Sequence, residues 1–440
     1  MRADRPGAIG WRCGVLIDGS GAAPIEDAAL ILNGGRIAEV GPWTAEHETL
    51  FGPGANWDLR GNTVVPGLVD AHAHLCLGSP VSAAWSAAEA DPVGIVAWGL
   101  TAGLAALQSG ITTVVDVGSR DGLALRVADL IDAGLALGPR VLAAGAAITT
   151  TGGHGEDFGA IADDQVELVR AVRTAVAGGA DVIKIMVTGG AIDPSSNRRR
   201  AQYSELELRA AIDDAHRLGR RVIGHANATE GITRAVAAGI DIVAHCNWLG
   251  AAPATVELDW PTVDAMADRH VWIDLNIEGA LRDLHQTDGH IACWPEGEPF
   301  PTTRWELLTP LRRRGVELYV TSDAFGPGIG GFTESLRQLR LRWDLSAEEL
   351  ISLVTGNPAR ALGLDNDRGL LVPSLRADIL VLDGDLRADH NALLRPAAVY
   401  RDGTRVASDG WMSLPAVAAA SGVEAAAQQD VLTAALRELT

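Results

Sequence analysis

Two histidines one residue apart, in Asp70-Ala71-His72-Ala73-His74, close an apolar run that starts at Thr63. Alternate residues of a strand share a face, so both imidazoles can grip one cation. Further groups of the same chemistry end or occupy later β-branched runs: Lys184 in DVIKIMV, His225 in GHAN, His245 in AHCN and Asp323 in TSDAF. A lone HxH is a weak signal, because a single histidine is usually a satisfied core or surface residue. Six metal-competent groups on repeated runs are a ligand set. Imidazole and carboxylate without thiolate suit zinc first, with manganese, cobalt, nickel or iron as substitutes.

Lys184 is the only lysine in the chain; every other basic residue among 36 is arginine. It stands in an apolar strand, where a charged ammonium is costly to bury. A neutralised amine or an ion pair would satisfy it, although arginine could serve the pair equally well. Burial lowers a lysine pKa, and a neutral amine can add carbon dioxide to become a carbamate, an anionic ligand able to bridge two metals. A Schiff-base lysine is the functional rival.

These groups need strands that end together. Eight runs supply them: 63–72, 112–117, 140–145, 181–187, 221–226, 241–246, 271–276 and 317–323. Amphipathic stretches such as 166–179, 204–219 and 305–315 lie between them, many closed by Gly. Ser204 followed by Glu207 has capping-box spacing. Strand–helix repetition of this kind predicts a parallel (β/α)8 barrel over residues 63–360, with its chemistry at the C-terminal ends of the strands. A doubly wound open sheet is the alternative, but no GxGxxG follows the first strand. Residues 1–62 and 361–410 alternate apolar and polar positions, with Asn33-Gly34 as a hairpin turn, and predict one small β-sandwich domain formed by both chain ends. Residues 411–440 are Ala-rich and predict a helical tail.

Composition narrows the partners. A formal charge of −20 disfavours nucleic acid, which needs clustered Lys and Arg. No run approaches the ~18 apolar residues of a membrane span, the N-terminus lacks a signal-peptide core, and Cys13, Cys76, Cys246 and Cys293 form no CxxC pair. The expectation is a cytoplasmic homo-oligomer acting on a small molecule. Trp85, Trp248 and Trp294 fall in loops on the active face and are candidates for an aromatic pocket, Arg198-Arg199-Arg200 for a carboxylate clamp or a solvated charge run, and Asn276 for a substrate contact.

With PGLVDAHAH, ITTTGGHGED, VIKIMVTGG, VIGHAN, IVAHCN, VTSDA, TGNPARALGL and LRADILVLDGD, the chain resembles the amidohydrolase superfamily from about residue 12 to 385, especially its Xaa-Pro dipeptidase and imidazolonepropionase-like branch. The resemblance implies that His72, His74 and Asp323 hold one metal, that His225 and His245 hold a second, and that carboxylated Lys184 bridges them. It also implies that His154 contacts the substrate carbonyl. The expected reaction is cleavage of an amide, peptide or carbamate-like C–N bond by a metal-bridging hydroxide, with Asp323 as general base and then general acid. A mononuclear deaminase or cyclic-amide hydrolase, which would need no lysine, is one rival. A phosphotriesterase or lactonase using the same centre is another, because such a centre polarises P=O as well as C=O. A non-catalytic scaffold would have lost ligands, and none is missing.

Overall fold

The computed structural model describes residues 8–51, 58–78, 82–190, 193, 196–253, 255–277, 291–292, 304–408 and 411–412. Within them the barrel strands run Leu68–His74, Ile111–Asp116, Arg140–Ala143, Ile183–Met186, Val222–Ala228, Ile242–Leu249, Trp272–Asn276 and Leu318–Thr321. Successive strands pair in parallel, except that the third and fourth meet through Asp181 N donating to Ala143 O (2.9 Å). The eighth returns to the first through Asp323 N to His72 O (2.9 Å) and through Ala324–Phe325 beside Ala73–His74. The ring is closed, which excludes the open doubly wound sheet. Helices cover its outside, and several show their caps. Ser204 and Glu207 form the anticipated capping box, and Asp91 and Asp164 accept from the first amides of their helices.

The run read as one strand over 63–72 is two. Asp58–Pro66 belongs to the other sheet, where it pairs with Ile379–Asp383 and Ile9–Leu16. Gly67 makes the switch: a Cβ there would lie 2.2 Å from Thr112 Oγ1, so no other residue fits where the chain enters the barrel.

That second sheet takes strands from both chain ends, in the order 411–412, 404–408, 396–401, 379–383, 58–66, 9–16, 25–33 and 36–42. Trp11 and Tyr400 stand three strand steps apart, roughly 14 Å in a flat sheet. Their ring centroids are 4.6 Å apart, so the sheet curls on itself around Leu30, Ile37, Val64 and Ile379 as a sandwich. The hairpin turn is centred on Gly34-Gly35, one residue beyond the expected pair. Both have positive φ (58° and 77°), as a two-residue type I′ loop requires. Trp411–Met412 forms an edge strand instead of the start of a helix; the tail from 413, like Trp294, lies outside the described residues. Among the described residues no helix is long and apolar enough to cross a membrane.

Candidate metal centre

Period-two alternation builds the site. Val182, Ile223, Trp272 and Tyr319 pack together as an apolar floor inside the barrel. Two residues further along the same strands stand Lys184, His225, Asp274 and Thr321, one layer nearer the C-terminal ends. His72, His74, His245 and Asp323 complete that layer. All the imidazoles are buried (1–8% exposed), and burial holds the pKa of His72, His74, His225 and His245 well below the ordinary value, so they are neutral.

Their hydrogen bonds decide which nitrogen stays available. His72 Nδ1 lies 2.5 Å from Asp274 Oδ2, His74 Nδ1 2.9 Å from Gly118 O, and His225 Nε2 3.3 Å from Gly189 O. A carboxylate or carbonyl oxygen only accepts, so the first two nitrogens carry the proton, whereas His225 Nε2 lies closer still to the Asn227 side-chain amide nitrogen (2.8 Å), a donor, and is not fixed by Gly189. The lone pairs left over on the first two rings are His72 Nε2 and His74 Nε2. His72 Nε2 and His74 Nε2 converge on Asp323 Oδ1 (3.3 and 3.7 Å), and His245 Nδ1 lies 3.8 Å from Asp323 Oδ2. Ligand atoms of His72, His74 and Asp323 come within 4.8 Å of one another. Asn276 Nδ2 donates to Asp323 Oδ2 (3.2 Å), while its buried Oδ1 has no hydrogen-bond partner among the described residues. Neutral imidazoles anchored on one side, a carboxylate, and an orphaned acceptor fit divalent metal.

Lys184 Nζ sits 3.3 Å from His72 Nε2, flanked by Ile183 and Ile185, and burial lowers its pKa to about 8. Asp323 (φ 52°) and His245 (φ 64°) adopt left-handed backbone, which costs roughly 1–3 kcal/mol each and persists only where the surroundings enforce it. Asp70 enforces it at Asp323. Its carboxylate, fully buried, accepts from Ser322 N (3.0 Å) and Ser322 Oγ, and Ser322 Oγ accepts from Ala324 N. Burial pushes the Asp70 pKa up to about 7. Asp70, Asp274, Thr321 and the carbonyls of Gly118 and Gly189 are parts of the site that the motif pattern does not pick out.

His154 joins the cluster from the loop after the third strand, its ring centroid 4.3 Å from that of His225. A Cβ on Gly190 would come within 2.3 Å of the His154 ring, so glycine makes the room. Asp193 Oδ2 anchors the histidine through Nδ1 (3.2 Å) and through Gly155 N (2.6 Å). The tryptophans behave otherwise. Trp85 is 4% exposed and packs against Trp98, and Trp248 is 0% exposed within the main core, its Nε1 without a hydrogen-bond partner. Both rings pack into the main core, which loop membership in sequence does not reveal. Trp248→Ala should therefore cost stability, about 3–5 kcal/mol, in urea denaturation; a discrimination between bulky and small substrates without that loss would return Trp248 to the pocket. Arg198 is exposed, whereas Arg199 ties its loop to the next but one through Gly250 O (2.6 Å) and Thr255 O (3.0 Å).

Buried imidazoles, a lysine of lowered pKa and a carboxylate thus gather at the C-terminal mouth of a closed parallel barrel. The chain belongs to the amidohydrolase family, which it matches over residues 63–406, and it is a hydrolase acting on C–N bonds. It is 27% identical over 422 residues to ochratoxinase of Aspergillus niger, covering 88% of this chain and 83% of that one. Identity to imidazolonepropionase of Paracoccus denitrificans is 26% over 392 residues, covering 83% and 90%. Among solved structures, a Xaa-Pro dipeptidase with bound methionine superposes with a TM-score of 0.75 at 22% identity, covering 92% of this chain and all of that one. At that identity the likeness speaks for the fold.

Proposed function

We propose that this chain hydrolyses an amide or peptide bond at a binuclear centre. His72, His74 and Asp323 would hold one ion, His225 and His245 the other, with carboxylated Lys184 shared between them. Two divalent ions, zinc by the donor set, would supply Lewis acidity toward the carbonyl oxygen and bring the pKa of bound water near neutrality. The carrying observation is the convergence of imidazole lone pairs, the sole lysine and Asp323 on one layer of the barrel.

The protein's own groups do the rest. Lys184, its pKa about 8, presents enough neutral amine to attack carbon dioxide; an N–C bond forms, one proton leaves the nitrogen, and the neutral amine becomes an anionic carbamate. Asp323 stands where it can take the proton of the attacking water and return it to the departing nitrogen. Asn276 holds that carboxylate in place. Burial holds the His154 pKa below its ordinary value, so with Nδ1 donating to Asp193 the neutral ring turns an accepting Nε2 to the site, and it can donate to a substrate carbonyl only after taking a second proton, for which Asp193 is the counter-ion. The names of the similar proteins, a Xaa-Pro dipeptidase among them, support an amide or peptide as substrate class.

The test is metal analysis combined with a screen of N-acyl amino acids, dipeptides, carbamates, ureas and lactones. About two metals per chain and turnover of amides are expected; hydrolysis of lactones alone would overturn the assignment. A one-metal centre is the second reading, favoured by the close grouping of His72, His74 and Asp323, and a stoichiometry fixed at one with bicarbonate present would select it. His154→Ala should lower kcat about 100-fold, the effect of removing one donor to a developing oxyanion, with metal content unchanged. Loss of metal in that variant would make His154 a ligand.

A further inference from the structure

We infer that Asp274 is a positioning residue that makes the His72–His74–Asp323 half of the centre hold its metal more tightly than the His225–His245 half. The inference rests on the two-site reading above. The histidines are anchored by unequal partners. His74 donates to a neutral carbonyl at 2.9 Å and His225 Nε2 meets only neutral groups, Gly189 O at 3.3 Å and the Asn227 amide at 2.8 Å, whereas His72 donates to a carboxylate at 2.5 Å. That carboxylate is itself fixed. Asp274 is 0% exposed, and its other oxygen accepts from Thr321 Oγ1 at 2.6 Å, Thr321 being buried to the same extent on the neighbouring strand.

Two consequences follow for His72. Its ring cannot turn, because both oxygens of Asp274 are committed, so Nε2 is aimed at Asp323 Oδ1 before any ion arrives. An anionic acceptor on Nδ1 also draws the proton from the ring and raises electron density at Nε2, strengthening it as a donor. His225 has neither advantage. His225 Nε2 shares its surroundings with the Asn227 side-chain amide at 2.8 Å and with Gly189 O, neutral groups both.

The experiment is competition for zinc between the purified full-length protein and a graded chelator, with metal per chain followed by mass spectrometry and circular dichroism as the folding control. Wild type should release one equivalent readily and retain the second at least tenfold more tightly. Asp274→Asn keeps the shape and the capacity to accept from His72 but removes the charge. It should lower the affinity of the retained equivalent by about 10- to 100-fold and leave the weaker one unchanged. A cobalt-loaded sample should show the change in its visible spectrum at the first equivalent only. Equal weakening of both equivalents, or of neither, would overturn the inference. If Asp274→Asn does not fold, Thr321→Val carries the test: the anion stays but loses one anchor, and a loss confined to the tighter equivalent is expected, while unchanged binding of both overturns it. A protein that takes up a single equivalent refutes the two-site reading alone; the fall in that equivalent's affinity on Asp274→Asn then still decides the role of Asp274.

Discussion

Lys184→Arg should abolish turnover while leaving the fold intact. The substitution preserves charge and nearly preserves length, so a merely electrostatic lysine would survive it. Guanidinium stays protonated and forms no carbamate, and it would put a permanent cation beside His72 Nε2, now 3.3 Å from Lys184 Nζ. Without the anionic ligand the centre loses charge stabilisation worth several kcal/mol, so a fall in kcat/KM of at least about 100-fold is the expected floor. Lys184→Ala should be as inactive but leave a cavity, which added acetate or propionate can enter, restoring a pair of anionic oxygens. Partial rescue of the alanine variant and none of the arginine variant is the paired signature. A pH signature accompanies it. Carbon dioxide reacts with the neutral amine, and with its pKa near 8 the metal-free protein holds that form as roughly one tenth of Lys184 at pH 7 and nine tenths at pH 9. Bicarbonate-dependent reactivation of stripped protein should therefore quicken as pH rises through about 8. Near-native activity of the arginine variant, or reactivation indifferent to pH, would remove the carbamate from the mechanism.

How much of this was legible before folding depended on which physical signal a residue carried. His72, His74, Lys184, His225, His245 and Asp323 interrupt apolar runs with groups that are expensive to bury, and strand alternation then points them to one layer. Asp274 carries the same signal, an acid inside VWIDLN on the inward phase of its strand, but it offers no ligand spacing and reads simply as part of a strand. Asp70 is similar: the motif draws attention to the histidines after it, while its task is to fix Ser322 and the left-handed Asp323 across 252 residues of sequence. No local pattern encodes that contact. Asp193, which anchors His154, lies 39 residues away in a different loop.

The failures have equally specific causes. Trp85 and Trp248 sit in segments that follow ligand strands, a position that suggests a pocket, yet both rings are buried in the core around the barrel. Hydrophobicity drew them inward, and sequence position could not reveal it. The break at Gly67 was hidden because the strands on either side of it are both apolar and together read as one run. Only the close approach of Thr112 shows why the chain changes sheets there.

Asp323→Asn is the second substitution with a large expected effect, since it separates the carboxylate's charge from its shape. Asparagine can keep the bond from Asn276 and the main-chain bond from Asp323 N to His72 O, and it tolerates left-handed backbone better than most residues. The fold should therefore survive, with a melting temperature close to that of wild type. Two functions would be lost together: an anionic ligand facing His72 and His74, and the base that handles the proton of the attacking water. Removing a positioned acid–base group alone costs about 100- to 10,000-fold, and loss of ligand charge adds to it. Saturating metal separates the two. If zinc in excess restores the metal content but not the rate, Asp323 moves the proton as well as binding; if the rate returns with the metal, Asp323 is a ligand and the base is elsewhere. His154 would then be the remaining side chain in the layer with a carboxylate, that of Asp193, to stabilise it once protonated. A companion change, Ser322→Ala, leaves the Asp323 carboxylate present but cuts one of the bonds from Asp70 that fix its backbone. It should lower the rate far less than Asp323→Asn, because the residue's chemistry is retained and only its aim is loosened.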